Sequence, residues 1–169
     1  YNLKELRERT KNLKNVIIEP VAISDKDEVV PFYYIKRGSI AKLKKHWASG
    51  IGSFNKEHIL KHKNKRFDVS DEDIEEIKIK CLSADSLIKK YKIKKVDKLL
   101  IDVEGAEYKI LKSINYKEVQ IENIIFEKKH FDGTFHVGPK LEEIKALLVK
   151  NNYSLSDLDE ENIIAKKIV

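Results

Sequence analysis

Apolar positions change their period several times along the chain, and each change marks an element. Leu3, Leu6 and Leu13 are separated by charged residues at helical spacing, so 2–13 predicts an amphipathic helix ending between Asn12 and Asn15. Residues 16–23 form a short apolar run, interrupted by Pro20, that predicts a strand. Ser24-Asp25-Lys26-Asp27 predicts a turn. The run 28–35 predicts a second strand whose Pro31 argues for an edge position, and the two strands together suggest a hairpin. Residues 74–82 alternate with the period of two expected of a strand. A short helix over 83–91 follows, with Ser83 as its N-cap. Strand 98–103 then leads into helix 106–114, strand 122–127 and helix 141–151, with Pro139 suited to a first turn. Two short strands, 153–155 and 162–169, end the chain. This order predicts an α/β fold whose sheet is mostly parallel with an antiparallel C-terminal strand. Between 36 and 70 no period is evident, and a stretch of that length reads as a functional loop or lid.

Composition narrows the picture. A chain of 169 residues is the size of one domain. Charged residues make up 37% and mean hydropathy is −0.47, so a soluble protein is expected, and the apolar runs are too short to span a membrane. No signal-peptide pattern opens the chain, and the single cysteine, Cys81, excludes an internal disulfide; both fit a cytoplasmic setting. Cys81 lies in a strand-like run, which reads as a buried, inert thiol. The chain contains no methionine, which predicts a reading frame extending upstream of Tyr1.

The net charge of +6 is uneven: Lys36 to Arg66 holds ten Lys or Arg against Glu57 alone, a local +9, leaving −3 elsewhere. This basic segment reads either as a site for an anionic partner or as a lysine-rich solvated surface. Tyr33, Tyr34, Trp47 and Phe54 lie within or beside it and could stack nucleobases, but core packing or a lid explains them as well, and nucleic acid ranks last among the readings.

The densest chemistry lies at 99–112. The predicted strand breaks at Glu104-Gly105, placing Asp102 and Glu104 at its carboxyl end, where open α/β sheets bind ligands. Gly105 lets the backbone turn there. Glu104 and Glu107 also fall near the next helix's N-terminus, so Glu107 reads as readily as a helix cap. Glu127 ends the following strand and would face the same crevice if the two strands pair, about 4.8 Å apart. His130 is placed to act as a general base, with His136 as second choice; a surface loop explains either equally. The i, i+4 pair His58 and His62 has only Glu57 beside it, so no metal site is expected. Gly50-Ile-Gly52-Ser53 has neither dinucleotide nor P-loop spacing.

The segment Ile101-Asp-Val-Glu-Gly-Ala-Glu107 resembles the Asp-Val-Glu-Gly-x-Glu signature of FkbM-like S-adenosylmethionine-dependent methyltransferases. Residues 15–25, 81–87, 124–127 and 161–165 are similar, in order, to that family's third strand, the helix before its fourth strand, its fifth strand and its last strand. The resemblance implies a Rossmann-like class I methyltransferase sheet lacking its first two strands, in a single partial domain over 1–169 with a basic loop or lid at 36–70. The family's glycine-rich cofactor loop and ribose-binding acid have no counterpart in this sequence, so these 169 residues alone are expected to bind cofactor weakly.

By the same resemblance Asp102 would lie beside the methionine moiety of S-adenosylmethionine and the acceptor. Glu104 and Glu127 would shape the acceptor pocket, and Ala22, Ile23 and Asp25 would lie near the adenine. From its position alone, and not from the resemblance, His130 would take the hydroxyl proton. The segment holding Gly50 and Ser53 would cover the pocket and contact the acceptor. The implied reaction is O-methylation of a glycan or another small hydroxylated acceptor, an anionic one best suiting the basic cover; a homo-oligomer is left open. The alternative is a methyltransferase-like domain kept for binding or scaffolding.

Overall fold

The computed structural model of the chain describes residues 2–44, 46–63, 66–103, 105–129, 131 and 138–168, the side chains of His46 and Trp47 excepted. The chain forms two compact units, one of Tyr1–Ala22 and Val29–Lys80, the other of Ile23–Glu28 and Cys81–Val169. Among the described residues no helix is long and apolar enough to cross a membrane.

In the first unit, α1 (Asn2–Thr10) forms where the leucine spacing predicts it. Glu5 and Arg9 pair across one turn at 2.9 Å, and the Thr10 hydroxyl donates to the Leu6 carbonyl. The expected strand over 16–23 is corrected: only β1 (Ala22–Ser24) joins a ladder, and Ile17 stays 72% exposed. Pro20 offers no N–H for a longer ladder.

The remaining elements of this part of the chain are β2 (Glu28–Ile35), α2 (Arg37–Leu43), a 3-10 turn (His46–Gly50), β3 (Gly52–Ser53), α3 (Lys56–Leu60) and β4 (Ile74–Ser83). Strand order is β1-β4-β2-β3, so the expected β1–β2 hairpin is not formed; β4 lies between them. β2 is therefore interior by order. The β2–β3 ladder pairs Tyr33 with Ser53 and Tyr34 with Gly52, which leaves Pro31 beyond it, where its missing N–H costs no bond to β3.

Segment 36–70 is built of short elements around a core. Leu43, Ala48, Ile51, Ile59, Phe67 and Val69 join Ile35 and Ile74 in one buried cluster. His58 and His62 are also buried; His62 stacks on Phe67 at 5.3 Å between ring centroids, and His58 meets His62 edge-on at 5.9 Å. Asp73, 3% exposed, closes a capping box by accepting from the Ser70 N–H at 2.9 Å and the Ser70 hydroxyl at 2.8 Å, and it pairs with Lys42 at 3.1 Å.

The second unit holds β5 (Lys95–Ile101), β6 (Gln120–Glu127), β7 (Tyr153–Asp157) and β8 (Asn162–Lys167), in the order β5-β6-β8-β7. β5 and β6 are parallel, whereas β8 is antiparallel to both β6 and β7. The expected antiparallel C-terminal strand is present as β8, but because it lies between β6 and β7 it makes two antiparallel pairings against one parallel, so the sheet is mixed and not mostly parallel. The tight connection before β8 reverses the chain: Asp159 Oδ1 accepts from the N–H groups of Glu161 and Asn162, both at 2.8 Å.

Three helices accompany this sheet: α4 (Ala84–Lys90), α5 (Glu107–Lys112) and α6 (Pro139–Lys150). Ser83 caps α4 as predicted, its hydroxyl accepting from the Ser86 N–H at 3.1 Å, and Pro139 opens α6. On α6, Leu141, Ile144 and Leu148 fall at i, i+3 and i+7 and are all buried. Ile110 and Leu111 of α5 and Ile121, Ile124 and Phe126 of β6 are buried with them. Cys81 is fully buried, and burial raises its thiol pKa, in keeping with an inert thiol.

Candidate active site

The register of β5 against β6 fixes the site. Ile101 pairs with Phe126, so the next residue of each strand, Asp102 and Glu127, emerges on the same carboxyl edge. Glu107, on the first turn of α5, reaches the same place. Asp102, Glu107 and Glu127 each bring a carboxylate oxygen to within 4.8 Å of the others. Asp102 is exposed, Glu127 half-buried and Glu107 fully buried. Phe126 and Phe131 are buried, their centroids 5.5 Å apart, and the Phe131 carbonyl accepts from the Tyr108 N–H at 3.4 Å.

The loop joining β5 to α5 is held from inside. Glu107 Oε1 accepts from the Val103 N–H and Oε2 from the Gly105 N–H, both at 2.9 Å. Gly105 adopts φ 107°, a conformation open to glycine and strained for other residues. Burial pushes the Glu107 pKa up; the backbone N–H groups oppose this, and the Asp102 charge adds to it. Ala106, at the N-cap of α5, provides no side-chain cap.

Three of the described lysines nearby have acidic partners of their own. Lys128 pairs with Asp157 at 2.7 Å, and Lys129 pairs with Glu161, both on the β7–β8 side. Lys112 bonds Tyr108 Oη at 2.8 Å and Glu143 at 2.9 Å. The corner thus gathers three carboxyl groups at one edge. An all-oxygen donor set suits a hard divalent cation, and it equally suits an organic ammonium or sulfonium.

Of the residues singled out from sequence, the structure brings together Asp102 and Glu127 and adds Glu107. Glu104, His130 and His136 lie outside the described residues. Ala22 and Ile23 lie on β1, in the other sheet. Asp25 follows them, its carboxylate accepting from Ser24 Oγ at 3.1 Å. The Ser24 carbonyl meets Ser113 Oγ at 3.4 Å, which sets this turn at the C-terminal end of α5, whereas the carboxylates stand at its N-terminal end. Gly50 and Ser53 belong to the first unit, where the Ser53 hydroxyl accepts from the Asn55 N–H at 3.1 Å.

Sequence reasoning missed the inward reach of Glu107. The available signal was its spacing: a glutamate two residues after the glycine of a strand-to-helix corner can turn back onto the loop's own N–H groups. Residues 2–155 match the family model for the methyltransferase FkbM domain. No curated protein and no solved structure matches the chain.

Proposed function

The chain belongs to the FkbM methyltransferase domain family, and on that premise we propose that it transfers a methyl group from S-adenosylmethionine to a hydroxyl oxygen of a glycan or another small hydroxylated acceptor. The observation that carries this reading is the carboxylate corner of Asp102, Glu107 and Glu127 at the β5–β6 edge. The cofactor's methionine end bears an ammonium and a sulfonium, and a corner rich in carboxylates, with Lys128 and Lys129 drawn to Asp157 and Glu161, fits those charges.

When bound, the cofactor supplies an electrophilic methyl group. Asp102 holds the ammonium and borders the acceptor. Glu104 and Glu127 orient the acceptor hydroxyl, and His130 takes its proton. Ile23 and Asp25 are assigned to the adenine. Alignment of acceptor, methyl and sulfur does most of the work in such a transfer, and a base contributes roughly 10²–10⁴-fold at most.

Calorimetric titration of the full-length protein with S-adenosylhomocysteine tests the proposal. Saturable binding is expected, and Asp102→Ala is expected to abolish methyl transfer while the protein stays folded. No binding of either S-adenosylmethionine or S-adenosylhomocysteine would overturn it.

A further inference from the structure

We infer that Glu107 is a positioning residue: its buried carboxylate bridges the Val103 and Gly105 N–H groups and thereby fixes where Asp102 stands at the β5–β6 edge. The inference rests on the reading of this corner as a methyl-transfer site, and it extends that reading to a residue that touches neither cofactor nor acceptor.

The geometry argues against an ordinary helix cap. An N-cap carboxylate accepts from N–H groups of the helix's first turn, and a capping-box carboxylate reaches back only as far as the N-cap N–H. Glu107 instead reaches back four and two residues, onto the loop that separates β5 from α5. Its two oxygens take one loop donor each, so one side chain ties down both Val103 and Gly105. Gly105 is held at φ 107°, and this fold of the backbone presents its N–H inward to Glu107 Oε2. Val103 directly follows Asp102 and is held by Oε1, so the backbone beside Asp102 has one defined direction. Glu107 itself is fully buried and the two bonds are part-buried, which limits the competition of water for its oxygens. The two backbone N–H bonds offset part of the cost of burying a carboxylate whose oxygens lie within 4.8 Å of those of Asp102 and Glu127.

Two substitutions separate this role from a charge effect. Glu107→Gln keeps the length but replaces one acceptor oxygen with a donor amide, so one loop N–H loses its partner. Glu107→Asp keeps the charge but is one methylene short, so it cannot span both donors. A bridge is broken by either change; a purely electrostatic contribution survives Glu107→Asp.

The experiment is amide hydrogen exchange and ¹³C carboxyl NMR on the full-length protein and both variants, alongside S-adenosylhomocysteine affinity. In the wild type the Val103 and Gly105 amides are expected to be protected. In both variants exchange at one or both is expected to quicken at least tenfold and the Asp102 carboxyl resonance to move, while amides of the β6–β8 ladder keep their protection. S-adenosylhomocysteine affinity is expected to fall at least tenfold in both. Unprotected Val103 and Gly105 amides in the wild type would overturn the inference even if neither variant folds. Loss of protection throughout the sheet with an unmoved Asp102 resonance, or a Glu107→Asp protein indistinguishable from wild type, would also overturn it. A wild type that keeps its protected corner yet binds no S-adenosylhomocysteine would instead count against the proposed function and leave the bridge to be judged by exchange and the Asp102 resonance.

Discussion

Adding one methyl group at each of two glycines is expected to move stability in opposite directions. Gly105 sits at φ 107°, where an L-residue is strained by about 1–3 kcal/mol. If the backbone relaxes to escape that strain, the Gly105 N–H leaves Glu107 Oε2, and a charge-assisted bond worth about 1.5–3 kcal/mol is lost instead. Gly105→Ala is therefore expected to lower the melting temperature by about 2–12 °C, taking about 2–4 °C per kcal/mol for a chain of this size. Gly38 lies in α2, and a methyl added there meets nothing within 4 Å. Gly38→Ala removes backbone freedom from the unfolded chain and adds helix propensity, about 0.5–1 kcal/mol in favour of folding. Its melting temperature is expected to rise by about 1–4 °C. Thermal unfolding followed by far-ultraviolet circular dichroism under identical buffer conditions reads both. Equal shifts in the two variants, or an unchanged Gly105→Ala protein, would refute the reasoning about the corner.

Other outcomes follow from the same structure. Burial pushes the Asp73 pKa up, but the Ser70 N–H, the Ser39 and Ser70 hydroxyls and Lys42 outweigh it, so the net shift is downward. Its stabilisation is thus present above the unfolded value near 3.8 and lost as pH falls toward the lower folded value; Asp73→Ala should cost about 1–3 kcal/mol at neutral pH and flatten acid unfolding measured in urea. For Glu107 the sign reverses: its folded pKa lies above the reference of 4.5, so the native state holds more protons and stability declines as pH rises through that interval. Glu107→Gln should remove that decline in a urea titration series, and a slope matching wild type would contradict the assignment. Tyr153 Oη donates to the Ile121 carbonyl at 2.7 Å from a buried position, so Tyr153→Phe should cost about 1–2 kcal/mol in urea unfolding, against no change if that bond contributes nothing.

What the sequence made legible depended on length and locality. Helix α6 is twelve residues long, enough for the 3.6 period to show, and its proline start and buried Leu141, Ile144 and Leu148 follow directly. The Ser83 cap was equally local. The β5–β6 pairing was legible because both strands are apolar runs on either side of a helix, and the Asp102–Glu127 meeting follows from that pairing. Segment 36–70 was opaque because its elements, α2, α3 and the 3-10 turn, span seven residues or fewer, too few for a period to show. The place of β4 between β1 and β2, and of β8 between β6 and β7, depends on pairings between distant residues that no local pattern encodes. Leu100 shows the same limit: it pairs with Ile125 in an apolar strand yet remains 67% exposed, which an apolar run by itself does not reveal. Glu107 was misread for a different reason, since a glutamate in a first helical turn has two chemically sensible directions and only the backbone geometry chooses between them.

The most direct test of the central claim is a ¹H–¹⁵N titration of the full-length protein with S-adenosylhomocysteine. Saturable shifts are predicted at Val103, Gly105, Tyr108 and Glu127, around the three carboxylates, and they should be lost in Asp102→Ala. An unchanged spectrum at millimolar ligand, or shifts that leave these four amides untouched, would contradict the assignment of this corner to methyl transfer.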